Sequence, residues 1–131
     1  MKRLTRALRD KIAIALSMFC VLQCLFLPFV ISFLPLMDIW WLSDSFLHPF
    51  LLLVVIPLTI LTLYPSFKQH NNRNPVMIAF PALILLTIGA FIGEGTSEKL
   101  LTVGGALVLA TAHIYNMLVS KHYLQFTTSS Y

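Results

Sequence analysis

The sequence predicts an all-α membrane protein, a small polytopic bundle of four transmembrane helices with both termini in the cytoplasm. Three observations support this class. Of the 131 residues, 58% are hydrophobic and only 11% are charged, less than half the roughly 25% usual in soluble domains. Four uncharged runs are separated by polar turns, and each run is close to the roughly 20 residues that cross a bilayer. Basic residues gather in alternate turns. This composition excludes a soluble enzyme, a disordered tail and a secreted disulfide scaffold.

The four uncharged runs predict four helices in chain order. The first run follows a basic segment and is too long for a cleaved signal peptide, so we expect it to remain as a membrane helix. The polar turn 68–75 ends the second run, and the turn 94–99 separates the third from the fourth. The tail 121–131 is polar and is expected to be mobile. These runs lack the alternation of barrel strands, so only helices satisfy their backbone groups in lipid. The predicted helices occupy about 12–36, 46–66, 76–93 and 99–120 of a single domain, 1–131.

The distribution of basic residues predicts the orientation. The N-terminal segment, the 68–75 turn and the tail hold eight of the nine lysines and arginines. The other two turns hold only Lys99 together with four of the five acidic residues. Because lysine and arginine are enriched in cytoplasmic loops, both termini and the middle turn are expected inside. We therefore expect an integral protein of the bacterial inner membrane.

Cys20 and Cys24 form the first candidate metal site. They lie four residues apart on the predicted first helix, so their thiols share one face. Thiolates bind soft cations such as mercury, copper(I) and zinc. Pro28 displaces the hydrogen bond to the Cys24 carbonyl, which frees that oxygen and kinks the helix, and Gln23 adds a polar neighbour. The alternative is ordinary packing, since cysteine is a common buried apolar residue.

His113 is the next candidate ligand, because it lies deep in the fourth run. Ionisable residues inside a membrane are costly and usually mark a functional site. At ~1.5 Å per residue, Cys20 and His113 both lie roughly 10–12 Å from the cytoplasmic boundary. The sequence therefore predicts that helices 1 and 4 are neighbours and that His113 faces the thiols, with Asn116 close by. The alternative is a histidine that only donates a hydrogen bond to a nearby carbonyl.

His48 and Glu94 form a second candidate site at the outer end of the bundle. Imidazole and carboxylate suit a borderline cation such as zinc, and this pair is expected to collect the ion before the thiols take it. Asp38, Asp44 and Glu98 come from the same side, where ordinary interfacial solvation is the simpler interpretation. For Glu98 an acid in the first helical turn is already favoured by the helix dipole.

Several short motifs stand out along the chain: DKIAI at 10–14, CVLQCLFLP at 20–28, FLH at 46–48, GE at 93–94, EKLLT at 98–102 and AH at 112–113. Taken in their order and spacing, they resemble those of the MerC-type membrane proteins. The resemblance covers roughly residues 8–120 and implies four membrane helices. It also implies inward transport of mercuric ion, as in the founding members of that family, with Cys20 and Cys24 in the role of the first-helix cysteine pair.

Together these observations predict a carrier that passes a soft or borderline heavy-metal cation across the membrane by ligand exchange. Two thiolates suffice for mercury, whereas His48, Glu94 and His113 point equally to zinc, and copper is also compatible.

No resident cofactor is predicted, and no motif for nucleotide or hydrolytic chemistry suggests an enzyme. The expected partners are the metal cation, the lipid bilayer and a second copy of the chain, because so small a bundle does not readily enclose a path; nucleic acid is not expected. The alternative is a membrane module that senses metal, or packs with a partner protein, without transporting.

Overall fold

The structure is a computed structural model that describes residues 2–33, 44–92 and 95–129. Side chains are described throughout these ranges except at 2–7, 9–10, 23–24, 27–28, 31–32, 44–48 and 127–128. In this part of the chain there are four α-helices and no strand, so the predicted all-α class is confirmed. The helices are α1 Lys2–Phe33, α2 Asp44–His70, α3 Asn74–Phe91 and α4 Thr96–Ser129.

The helices have the length and surface of a membrane bundle. Three stretches are long and apolar enough to cross a bilayer: Pro49–His70, Asn74–Phe91 and Thr96–Phe126. The 32-residue helix α1 contributes a shorter apolar stretch, Lys11–Leu22, among its described residues. Large apolar side chains point away from the bundle, with Phe91 exposed over 74% of its surface. Because soluble monomers rarely expose contiguous apolar surface of this kind, lipid is the solvent that matches it.

Two helices are longer than the apolar runs that predicted them. Helix α1 begins at Lys2 rather than near residue 12, and α4 continues to Ser129 rather than ending near residue 120. The expectation of a mobile tail is therefore wrong for residues 121–129. An apolar run marks only the part of a helix that lies in lipid, and no glycine or proline interrupts 121–129. The extension is also held by packing, since the rings of His70 and Tyr123 stack with centroids 4.2 Å apart.

The predicted turn at 68–75 is reduced to three residues between α2 and α3. Asn71 ends α2 in the left-handed region with φ 51°, which asparagine tolerates better than most residues. Its N–H donates to the Phe67 carbonyl at 2.8 Å, while the Asn72 side chain accepts from the Asn74 N–H at 3.1 Å. The Asn74 amide donates to the Tyr115 hydroxyl at 3.1 Å and so ties the turn to α4.

Helix α4 is the centre of the bundle. It packs along α3 on one side and along α1 on another, and α2 contacts all three of these helices. The prediction that the first and fourth helices are neighbours is thus confirmed. The α3–α4 contact is close because small residues line it: a Cβ on Gly105 would lie 3.2 Å from the Ala82 carbonyl oxygen. Small residues also dominate the apolar core, in which Leu63 and Leu109 pack with the alanines Ala79, Ala82, Ala106, Ala110 and Ala112.

Candidate metal centre

A seam of buried polar side chains runs through the interior where α1, α2 and α4 meet. Each of its members is at most 6% exposed. A soluble protein of this size would place most such groups at its surface, whereas here large apolar side chains are exposed and part of the interior is polar. We call this set the polar seam: Ser17, Cys20, Thr59, Thr62, Ser66, His113, Asn116 and Ser120.

The residues of the polar seam follow a regular spacing in the sequence. On α2 its members are Thr59, Thr62 and Ser66, and on α4 they are His113, Asn116 and Ser120. Both sets follow the spacing i, i+3, i+7, which places side chains on one face of a helix. Helix α1 follows with Ser17 and Cys20, and Cys24 continues the same spacing in the sequence.

Hydrogen bonds join the three helices across the seam. The Asn116 amide on α4 donates to the Ser17 hydroxyl on α1 at 3.0 Å. The hydroxyls of Ser66 on α2 and Ser120 on α4 lie 3.5 Å apart. Polar side chains that bond across helices hold membrane bundles together, at roughly 0.6 kcal/mol per interaction on average. The α4 face therefore fixes the positions of both other helices.

Cys20 lies inside the seam as a free, buried thiol. Its Sγ atom is 3.9 Å from the Thr62 hydroxyl oxygen of α2. Ser17 lies one turn along α1 and bonds to α4. The thiol is thus held between two helices rather than facing lipid.

His113 is the least satisfied member of the seam. It is fully buried, and neither ring nitrogen has a hydrogen-bond partner among the described residues. The expected bond to a neighbouring carbonyl, which was the simpler interpretation of this residue, is therefore not observed within that part of the chain. The Thr59 hydroxyl is likewise buried without a partner. An unsatisfied buried polar group costs roughly 1–3 kcal/mol, and such groups often mark the place of a water molecule or an ion.

The helix register places Cys20 and His113 at the same level. Helices 1 and 4 of a four-span bundle cross the bilayer in opposite directions. The hydrogen bond between Ser17 and Asn116 gives a reference level. Cys20 on α1 and His113 on α4 each lie about one helical turn from it, toward the same end of the bundle. The two side chains make no hydrogen bond with each other. Direct approach of His113 to the thiols therefore stays a prediction.

The remaining predicted ligands fall outside the described side chains. Cys24 lies on α1 and His48 on α2, but their side chains are not described, and Glu94 is outside the described residues. Among the side chains that are described, no three of the histidine, cysteine, aspartate and glutamate type come together as a metal site. The predicted outer site of His48 and Glu94 is accordingly untested.

Of the outer acidic residues, only Glu98 has a described side chain. It is 6% exposed and lies in the first turn of α4, where the helix dipole favours an acid. Its burial differs from the interfacial solvation expected from the sequence. Asp44 begins α2 without a described side chain, and Asp38 is outside the described residues.

Sequence reasoning missed the contribution of α2 to the seam. Thr59, Thr62 and Ser66 lie in an apolar run and look like ordinary helix residues, because threonine and serine can bond to their own helix. The i, i+3, i+7 spacing shared with His113, Asn116 and Ser120 was the available signal. Such a shared period indicates matching polar faces on two helices.

Comparison with known proteins gives one result. A family model described as MerC mercury resistance protein matches residues 10–118. No curated protein and no solved structure matches the chain.

Proposed function

Because that match spans most of its length, this chain belongs to the MerC mercury resistance family, and from this premise we propose that it carries mercuric ion across the bacterial inner membrane. In this proposal Cys20 and Cys24 bind the ion as two thiolates. The ion then moves inward by ligand exchange, in which one thiolate replaces another on the metal. His48 and Glu94 collect the ion at the outer end.

The observation that carries the proposal is the unsatisfied His113 in the same buried seam as Cys20. A soft ligand and an imidazole that has no partner among the described residues lie at one level of a membrane interior, one helical turn from the hydrogen bond that joins their helices. Ionisable groups at such depth usually mark an ion pathway. A cation that enters this layer would give the imidazole the partner it lacks.

The number of thiol ligands supports mercury rather than zinc, and the charge of the seam is compatible with a divalent ion held by two thiolates. Its described side chains are all neutral in their ordinary forms, and none is a carboxylate. Transfer of an uncompensated charge into a medium of low dielectric is very costly. Two thiolates neutralise one divalent ion, and mercuric ion is satisfied by two such ligands in a linear arrangement. Zinc normally takes four ligands, two more than the thiol pair provides.

The decisive experiment is metal flux in liposomes that contain the purified protein and an enclosed mercury indicator. We expect uptake of mercuric ion, supplied as its complex with a small thiol, to require protein. Replacing Cys20 and Cys24 together by serine should reduce uptake at least about tenfold, because hydroxyls are harder ligands than thiolates. The bundle should remain folded, since serine keeps the approximate size of cysteine.

The chain offers a matched control on the same helix. Met18 also carries sulfur, but it is exposed on the outer face of α1, and Met18→Leu removes that sulfur at similar volume. Uptake should be unchanged in this variant. Unchanged uptake in the double serine variant would refute the thiolate relay. Binding of mercuric ion by the wild-type protein without any flux would instead favour a sensing or partner-binding membrane module.

A further inference from the structure

Thr62 on α2 is in hydrogen-bond contact with the candidate ligand Cys20. It is 1% exposed, and its hydroxyl oxygen lies 3.9 Å from the Cys20 sulfur. The same hydroxyl lies 2.7 Å from the Leu58 carbonyl oxygen one turn earlier on α2. Residues 20 and 62 belong to different helices, so this contact also links α1 to α2.

The proton count at Thr62 fixes the direction of the hydrogen bond to Cys20. A threonine hydroxyl has one proton to donate and two lone pairs that accept. The Leu58 carbonyl has no proton and can only accept, so the Thr62 proton is used there. The Cys20 thiol is therefore the donor to Thr62, and its S–H bond points toward α2.

We propose that Thr62 is a positioning residue of the metal centre, which accepts from the Cys20 thiol before metal binding and donates to the Cys20 sulfur afterwards. The exchange is balanced. The Cys20 sulfur forms a bond to mercury, one sulfur of the incoming mercury–thiol complex loses its bond to mercury, and the Cys20 proton goes to that leaving thiolate. Cys20 then has no proton to donate, and the Thr62 hydroxyl rotates so that its own proton points to the sulfur.

This rotation leaves no carbonyl unsatisfied. The Leu58 carbonyl is the i−4 acceptor of the Thr62 backbone N–H within α2, so it keeps its helical hydrogen bond when the hydroxyl turns away. A donor aimed at a metal-bound sulfur fixes its orientation and tunes the ligand, as outer partners do in other metal sites. The role of Thr62 in mercury capture rests on the proposed function, whereas its bond to the thiol does not.

The bond itself can be tested without metal. The chain has only two cysteines, so Cys24→Ser leaves Cys20 as the single source of an S–H stretching band in the infrared spectrum. In this background Thr62→Val should shift the band to higher frequency, as expected for a thiol that has lost its acceptor. Thr62→Ser should restore the original frequency. An unshifted band in the valine variant would overturn the assignment.

The effect on metal capture is tested in the same background with phenylmercuric ion, which takes one thiolate. In competition with a small free thiol, Thr62→Val should weaken binding by a few-fold, because the bond that the hydroxyl donates to the metal-bound sulfur is stronger than the one it accepts from the weak S–H donor, and Thr62→Ser should recover most of it. The control is Thr87→Val. Thr87 makes the same 2.7 Å bond to the carbonyl four residues earlier, but it lies exposed on α3, so its loss should leave binding unchanged.

The outcomes separate the two proposals. Normal phenylmercury binding in Thr62→Val, or equal weakening in Thr87→Val, would overturn the positioning role while mercury transport by the wild-type protein stands. Failure of the wild-type protein to bind mercuric ion would overturn the proposed function, and the infrared shift would still decide whether Thr62 holds the Cys20 thiol.

Discussion

His113 shows how a single residue in a membrane interior carries functional information. It is fully buried, and both of its nitrogens lack partners among the described residues. A neutral imidazole has one donor and one acceptor to satisfy, and the described residues satisfy neither, which is a cost for a buried ring. A residue kept for packing alone would be better replaced by an apolar one. The cost is understandable if the ring meets a ligand during the functional cycle.

The contribution of His113 distinguishes the candidate cargoes. If the cargo is mercuric ion, His113→Ala should weaken binding by only a few-fold, because two thiolates already satisfy the metal. For zinc, which normally takes four ligands, the same substitution should be nearly as damaging as loss of the cysteines. Titration of the purified wild-type and variant proteins with each metal measures both. Equal and large losses for both metals would contradict a two-thiolate mercury site.

At the scale of the helices, α4 presents one polar face and one face of small residues. The polar face meets α1 and α2 through Asn116 and Ser120. The face toward α3 carries Gly105, where an added Cβ would lie 2.9 Å from Leu86 Cγ and 3.1 Å from the Leu86 backbone nitrogen. In lipid, helices associate through such close van der Waals packing rather than through hydrophobic burial. The two faces therefore hold the bundle by different forces.

Two adjacent glycines of α4 provide a matched test of this packing. Gly105→Ala should destabilise the bundle by roughly 1–3 kcal/mol, the usual cost of overpacking, because backbone atoms of α3 cannot yield to the new methyl group. Gly104 has no atom within 4 Å of its would-be Cβ, so Gly104→Ala should stabilise the helix by roughly 0.5–1 kcal/mol. Unfolding in detergent, followed by circular dichroism, measures both changes. The same sign for both substitutions would contradict close α3–α4 packing at Gly105.

The sequence predicted the positions of the helices better than their ends. It also identified the buried polar residues on α1 and α4 better than those on α2. Uncharged runs located the spans, and the depth of Cys20 and His113 correctly made α1 and α4 neighbours. The helical extension past Ser120 was missed because hydropathy reports contact with lipid rather than backbone conformation. Thr62 was missed because a threonine that bonds to its own helix looks apolar in sequence. Only the packing of α2 against α1 brings its hydroxyl to Cys20.

At the scale of the whole molecule, charge is distributed unevenly between the two ends of the bundle. Lys68, Arg73 and Lys121 lie where α2 ends, α3 begins and α4 extends past its apolar part. The basic start of α1 belongs to the same end if successive helices alternate in direction. Lys99 lies at the opposite end, in the first turns of α4. A fixed orientation matters for the proposed function, because the acidic end must meet the incoming cation and the seam must lead it inward.

The orientation prediction follows from this asymmetry, since lysine and arginine favour the cytoplasmic side. Single cysteines are introduced at polar positions outside the apolar stretches after Cys20 and Cys24 have been replaced by serine. Ser97→Cys, in the α3–α4 turn region, should react with a membrane-impermeant thiol reagent in intact cells. Asn72→Cys, in the α2–α3 turn, and Ser129→Cys, at the end of α4, should react only after the membrane is opened. Labelling of Asn72→Cys from outside would reverse the bundle and remove the basis for an outer acidic capture end. Labelling of Asn72→Cys and Ser129→Cys from opposite sides would contradict the even number of crossings between them, because α3 and α4 together return the chain to the side from which it started.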